Sequence, residues 1–119
     1  MDHPPSFDDG RPPFDGHFAR ELVGKHVLVG VTVLDHRGEL VEQKQFHGRV
    51  DKADAKDGFR LKLLGEREGE SEWLPPDTRA FHKARPGEYR LKTTGEVVVD
   101  PDFTTSWTYT QPPAKEDAS

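Results

Sequence analysis

The chain has no cysteine and no isoleucine, a single methionine, and only 32% hydrophobic residues against 33% charged ones. Without cysteine there is neither a disulfide framework nor a thiolate metal site, which accords with a reducing cytoplasm. With so few apolar residues in 119, there is room for one domain and one small core, drawn from a few dense stretches. No apolar run approaches the roughly 18 residues that a membrane helix needs. The opening MDHPPSFDDG lacks the basic start and apolar middle of a signal peptide. The expectation is a cytoplasmic protein of the bacterial kind with no membrane partner.

A basic surplus is missing too. The net charge of −5 and pI near 5.6 disfavour wholesale binding to nucleic acid or anionic membranes. The charge is uneven, however. Residues 1–22 hold two basic and five acidic side chains, and 65–119 hold seven and eleven, whereas 23–64 hold eight basic against six acidic. A local basic patch in the middle of the chain therefore survives as a possibility.

The usual signatures of catalysis are also absent. The six histidines, at 3, 17, 26, 36, 47 and 82, include no pair two apart on one strand or four apart on a helix, so no metal site is expected. Asp100 and Asp102 flank Pro101 and read as turn residues. None of Ser6, Ser71 and Ser106 lies in a nucleophile elbow. The glycines at 65 and 69 lack the Lys-Ser/Thr and helix of a phosphate loop. Neither an enzyme nor a cofactor is expected, and a small hydrolase ranks third among the readings below.

Eleven glycines, ten prolines and many valines favour short strands and tight turns. Residues 1–16 contain an internal echo, PPSFDDG followed by PPFDG, too rich in Pro, Asp and Gly to pack. It reads as a disordered arm, with Phe7 and Phe14 either docking anchors or incidental. Residues 17–23 form a short helix with Phe18 and Leu22 on one face, stopped at Gly24. The strongest strand spans 25–34, where Val27, Val29, Val31 and Val33 face one way and Leu28, Thr32 and Leu34 the other. Both faces are largely apolar, so this strand needs cover on two sides. After the turn Asp35-His36-Arg37-Gly38, residues 39–50 return as a long strand bent near Gly48. Asp57-Gly58 turns into a third strand with Phe59, Leu61 and Leu63 inward. Short strands follow at 72–74 and 80–82, separated by Pro75-Pro76. Residues 88–93, 96–99 and 104–110 read as a three-stranded meander, and 111–119 as a disordered tail.

Two stretches carry a resemblance. Residues 18–29, FARELVGKHVLV, resemble the lid helix and Gly-Lys-led first strand of Sm-like proteins, and Phe46-His-Gly48-Arg-Val50-Asp51 with Leu61 and Leu63 resembles their bent second and third strands. Glu72-Trp73-Leu74-Pro75-Pro76 to Phe81 is similar to the fourth strand, helical turn and fifth strand of Src-homology-3-like barrels. Over residues 18–83 this resemblance implies an all-β fold: a small five-stranded barrel with a short N-terminal helix. Residues 17–110 would form the single domain, with the meander appended. Its Tyr89, Leu91, Val97, Val99 and Trp107 are available to cover the second face of the first strand. Neither family's binding site carries over. The 74–79 region, LPPDTR, lacks the basic-Gly pair of Sm-like RNA binders, and the short 35–38 loop lacks the aromatics of the peptide groove.

Two surfaces remain as candidates. Gln43, Gln45, His47, Arg49, Arg60 and Lys62 would share one face of adjacent strands, able to track a phosphate backbone or serve only as a solvated sheet face. The lack of stacking aromatics there favours the solvated face. Trp73, Pro75, Pro76 and Phe81 would form an aromatic cleft, unless Trp73 merely closes the core. The expected role is a non-enzymatic binding or assembly module for a protein partner or a second copy of itself. An Sm-like RNA-binding oligomer using the basic face is the alternative.

Overall fold

The computed structural model describes residues 14–113, so Phe7 and the rest of 1–13, with 114–119, lie outside the described residues. Asp15 caps the first helix, α1 (Gly16–Leu22), its carboxylate accepting from the N–H groups of His17 and Phe18 at 3.0 and 3.2 Å. A seven-residue helix is not stable alone. It is held by burying Ala19 and Leu22 and by setting Phe18 edge-on to Phe103, 5.7 Å between centroids. Phe14, placed in the arm from sequence, instead stacks on Phe59 at 5.7 Å and packs against the core.

The chain is mostly strand. β1 (His26–Leu34) and β2 (Leu40–Asp54) form a long antiparallel hairpin, and β3 (Gly58–Leu63) pairs with the far half of β2. The expected bend near Gly48 has a steric counterpart, since a Cβ there would run into the Lys62 carbonyl of β3. A bulge follows between Val50 and Lys52. β4 (Ser71–Leu74) continues the sheet, and a helical turn at Thr78–Ala80 leads into the three-residue β5 (Phe81–Lys83). Inward-facing Val27, Val29, Phe46, Val50, Phe59, Leu61, Leu63, Leu74 and Phe81 make the core.

The expected three-stranded meander does not form. β6 (Glu88–Arg90) and β7 (Val97–Val99) make a hairpin of their own, while β8 (Phe103–Thr110) joins the main sheet in the order β4-β3-β2-β1-β8-β5. β8 runs parallel to β1 from Val27↔Phe103 to Leu34↔Thr110. The reason is length: β1 offers a nine-residue edge, which three-residue β5 could not satisfy and eight-residue β8 can. The sheet is open, with β4 and β5 as its edges, so no closed barrel is present among the described residues.

The second face of β1 is covered differently from the expectation. Trp107 lies on the Val face and packs against the main core. From the hairpin, Leu91 and Val98 are buried, while Val97 and Val99 are exposed. Three successive valines cannot all face inward. The register Tyr89↔Val98 puts the middle one on the side of Tyr89 and Leu91. Two polar bonds hold this hairpin on the outer face of β2, from Thr93 N–H to Gln45 Oε1 at 3.1 Å and between His47 and Glu96 at 2.8 Å.

Candidate functional site

Gln43, Gln45, His47 and Arg49 alternate onto the outer face of β2, and Arg49 stands directly opposite Lys62 of β3. The bulge after Val50 brings Asp51 to Arg60, which donates to its carboxylate from Nε at 2.9 Å and Nη2 at 2.6 Å. That guanidinium holds the Asp51 carboxyl below its ordinary value. Lys62 Nζ lies 4.0 Å from the same group. Arg49 donates to the Gly24 carbonyl at 3.0 Å. The fold thus gathers the predicted residues, yet places a carboxylate among the cations and bonds two amide or imidazole groups to the hairpin above. Sequence periodicity could show the parity of these residues but not the bulge that inserts Asp51.

His47 is buried and forms the middle of a chain that sequence spacing did not reveal. Its Nε2 is 2.8 Å from Glu96 Oε2, and its Nδ1 is 2.8 Å from His26 Nε2. An ionised carboxylate can only accept, so with neutral imidazoles His47 donates from Nε2 to Glu96, and His26 donates from Nε2 to His47 Nδ1. The backbone N–H of His26 makes a bond of another kind, donating to the Asp102 carboxylate at 2.9 Å. Burial, then His47, then Arg49 lower the pKa of His26, while Asp102 opposes them. The neutral form is therefore favoured by folding. This contribution to stability is fully present above about pH 6.5, where the unfolded imidazole is neutral too. It is lost as pH falls through the lowered native value. Urea titrations on either side of that pH should show the wild type losing stability on acidification and His26→Gln losing less. Equal losses would remove His26 as the cause. Among the described residues, no group of three or more His, Asp or Glu could hold a metal ion.

The proposed aromatic cleft is not assembled. Trp73 is 47% exposed, with the Arg60 guanidinium 5.9 Å from its ring centroid, rather than closing the core. Phe81 is buried, edge-on to Phe59 at 4.8 Å. Pro75 and Pro76 lie half-buried in the loop between the two strands.

A seam opens instead between β4 and β8. These strands are four places apart in the sheet, yet Leu74 and Glu72 of one and Tyr109 of the other line a single groove of about 180 Å³. Val31, Val33 and Phe46 form its floor, with Lys44 beside it. Burial and the nearby Glu72 charge raise the Tyr109 phenol above its ordinary value, a sign of how closely the rolled sheet brings the two strands together. β5 pairs only with residues 103–105, so the outer edge of 106–110 has no strand partner among the described residues. The Ala84 N–H donates to the Asp102 carbonyl, and the Gln111 N–H donates to Leu34 of β1. Peptide groups alternate sides along a strand. Ser106, Thr108 and Thr110 therefore turn theirs to the open edge. Nothing in the residue pattern marks this edge, because residues 104–110 read as a strand without revealing which neighbours it lacks.

No helix is long and apolar enough to cross a membrane among the described residues. Comparison of the chain with protein-family models, curated proteins and solved structures gives no match.

Proposed function

We propose that this chain is a non-enzymatic protein-binding module, built on a small Sm-like or Src-homology-3-like barrel left open along the seam between β4 and β8. It takes an extended segment of a partner protein as an added strand on β8. The observation that carries this reading is the edge of Ser106, Thr108 and Thr110, without a strand partner among the described residues, beside a largely apolar groove. Sheet edges facing solvent are ordinarily blunted by charge, proline or a bulge. Ser106-Trp-Thr-Tyr-Thr110 has none of these. Main-chain bonds along such an edge supply affinity, and pockets for alternate side chains supply selectivity. Val31, Val33, Phe46 and Leu74 suit apolar residues at every second position of the partner.

Selection from a random peptide library should enrich that alternation. Thr108→Pro removes an N–H that faces away from β1, a position where a strand tolerates proline. It should weaken the selected peptides at least about tenfold, or about 1.4 kcal/mol, while the fold is retained. Enriched peptides without alternation, or unchanged binding by Thr108→Pro, would sink strand addition. Arg49→Glu with Lys62→Glu should leave peptide binding unaltered. If the charge reversal abolished binding instead, and added salt weakened it steeply, the basic-face alternative would take its place.

A further inference from the structure

Gly30 sits in the middle of β1 with no structural reason to be glycine. Glycine inside a strand weakens it, and usually marks a bulge, a positive φ, a close backbone or an approaching ligand. The first three can be tested one by one. The ladder passes through Gly30 on both sides without a register shift, pairing it with Gln45 and Ser106. Its φ is not in the left-handed region. A Cβ added to it would meet nothing nearer than Ser106 Oγ at 3.9 Å, an ordinary contact. What remains is the space above it.

That space is a cavity of about 230 Å³ over the outer face of the sheet. Two cross-strand rows form its floor, Gln45–Gly30–Ser106 and Gln43–Thr32–Thr108. Lys92 and Thr93 form its roof, pinned by the bond from Thr93 N–H to Gln45. The lining residues include hydroxyl, carboxamide and lysine side chains and no carboxylate, together with apolar Val31 and Trp107. Hydroxyls and carboxamides both donate and accept, which suits a polyol, and the ammonium at Lys92 suits one negative charge beside it. The volume lies below the roughly 300 Å³ where drug-sized ligand pockets begin.

We infer that this cavity is a binding site for a small polyhydroxylated anion, with Gly30 kept side-chain-free so that the ligand can rest on the strand backbone. The cavity shares Ser106 and Thr108 with the open edge of β8 and Val31 and Lys44 with the groove, so the two readings are told apart at Lys92, which lines the cavity and not the groove. Glycerol 3-phosphate is a suitable probe, with glycerol and inorganic phosphate as its component arms. Titration followed by amide NMR should give saturable shifts at Gly30, Gln45, Thr93 and Ser106 with glycerol 3-phosphate. Each component alone should give weaker ones. Lys92→Ala should weaken the probe by about tenfold. Gly30→Val should abolish the shifts while raising the melting temperature by a few degrees, because valine suits a strand. Three results would each overturn the inference. One is the absence of saturable shifts with glycerol 3-phosphate at tens of millimolar. Another is inorganic phosphate binding as well as the whole probe, which would leave an adventitious ion only. The last is a Gly30→Val variant that melts lower than wild type, which would make the glycine a requirement of the fold.

Discussion

Phe59→Ala is expected to destabilise the protein by about 3–5 kcal/mol, within the range for a buried phenylalanine. The side chain is fully buried and is the largest in the core with no exposure. It lies between two other rings, stacked against Phe14 at 5.7 Å and edge-on to Phe81 at 4.8 Å. These rings come from the segment before α1 and from β5, so truncation leaves a void at the point where three distant parts of the chain meet. Domains of this size hold only about 5–15 kcal/mol in total, so the loss is a large part of it. Urea denaturation should show a lower midpoint with an unchanged slope. A loss below about 1 kcal/mol would mean that the site collapses freely and that Phe59 is no keystone. A double-mutant cycle with Phe14→Ala should show coupling of about 0.5–1.5 kcal/mol, as for other aromatic pairs. Additive effects would instead return Phe14 to the role of a free docking anchor.

Gly58→Val should cost about 2–5 kcal/mol, the sum of a strained positive φ and an overpacked contact. Gly58 follows the turn in which Asp54 Oδ1 accepts from the N–H groups of Lys56 and Asp57 at 2.7 and 2.8 Å. Its φ is +99°, and a Cβ there would collide with the Leu74 carbonyl oxygen. That oxygen belongs to the backbone of β4, where Leu74 pairs with Phe59, so it cannot move aside without disturbing the ladder. Thermal unfolding should show a large fall in Tm, or little folded material at all. A variant melting within a degree or two of wild type would show that β4 yields at its end. The seam would then widen, and peptide binding by the Gly58→Val variant should change with it.

The parts of the fold legible from sequence are those that side-chain periodicity encodes. Val27, Val29, Val31 and Val33 declare one face of a strand, and Phe59, Leu61 and Leu63 declare another. Phe18 and Leu22 mark the packed side of a short helix. The same periodicity shows that β1 needs cover on both faces. It cannot say what provides that cover, because alternation fixes only which side a residue faces and carries no address for its neighbour. The candidate residues divide in the same way. The shared parity of Gln43, Gln45, His47 and Arg49 is written in the chain. Three other features depend on how strands pair: the Asp51–Arg60 bond across the β2–β3 hairpin, the His26–His47–Glu96 chain, joined across 21 and 49 positions, and the edge of 106–110 that has no strand partner among the described residues. The seam is the clearest case. Composition and alternation determined that 104–110 would be a strand, while tertiary structure alone decided that it would lie parallel to β1 with one edge open. Backbone hydrogen bonds choose partners by length and register, and every residue type except proline offers the same donor and acceptor to that choice.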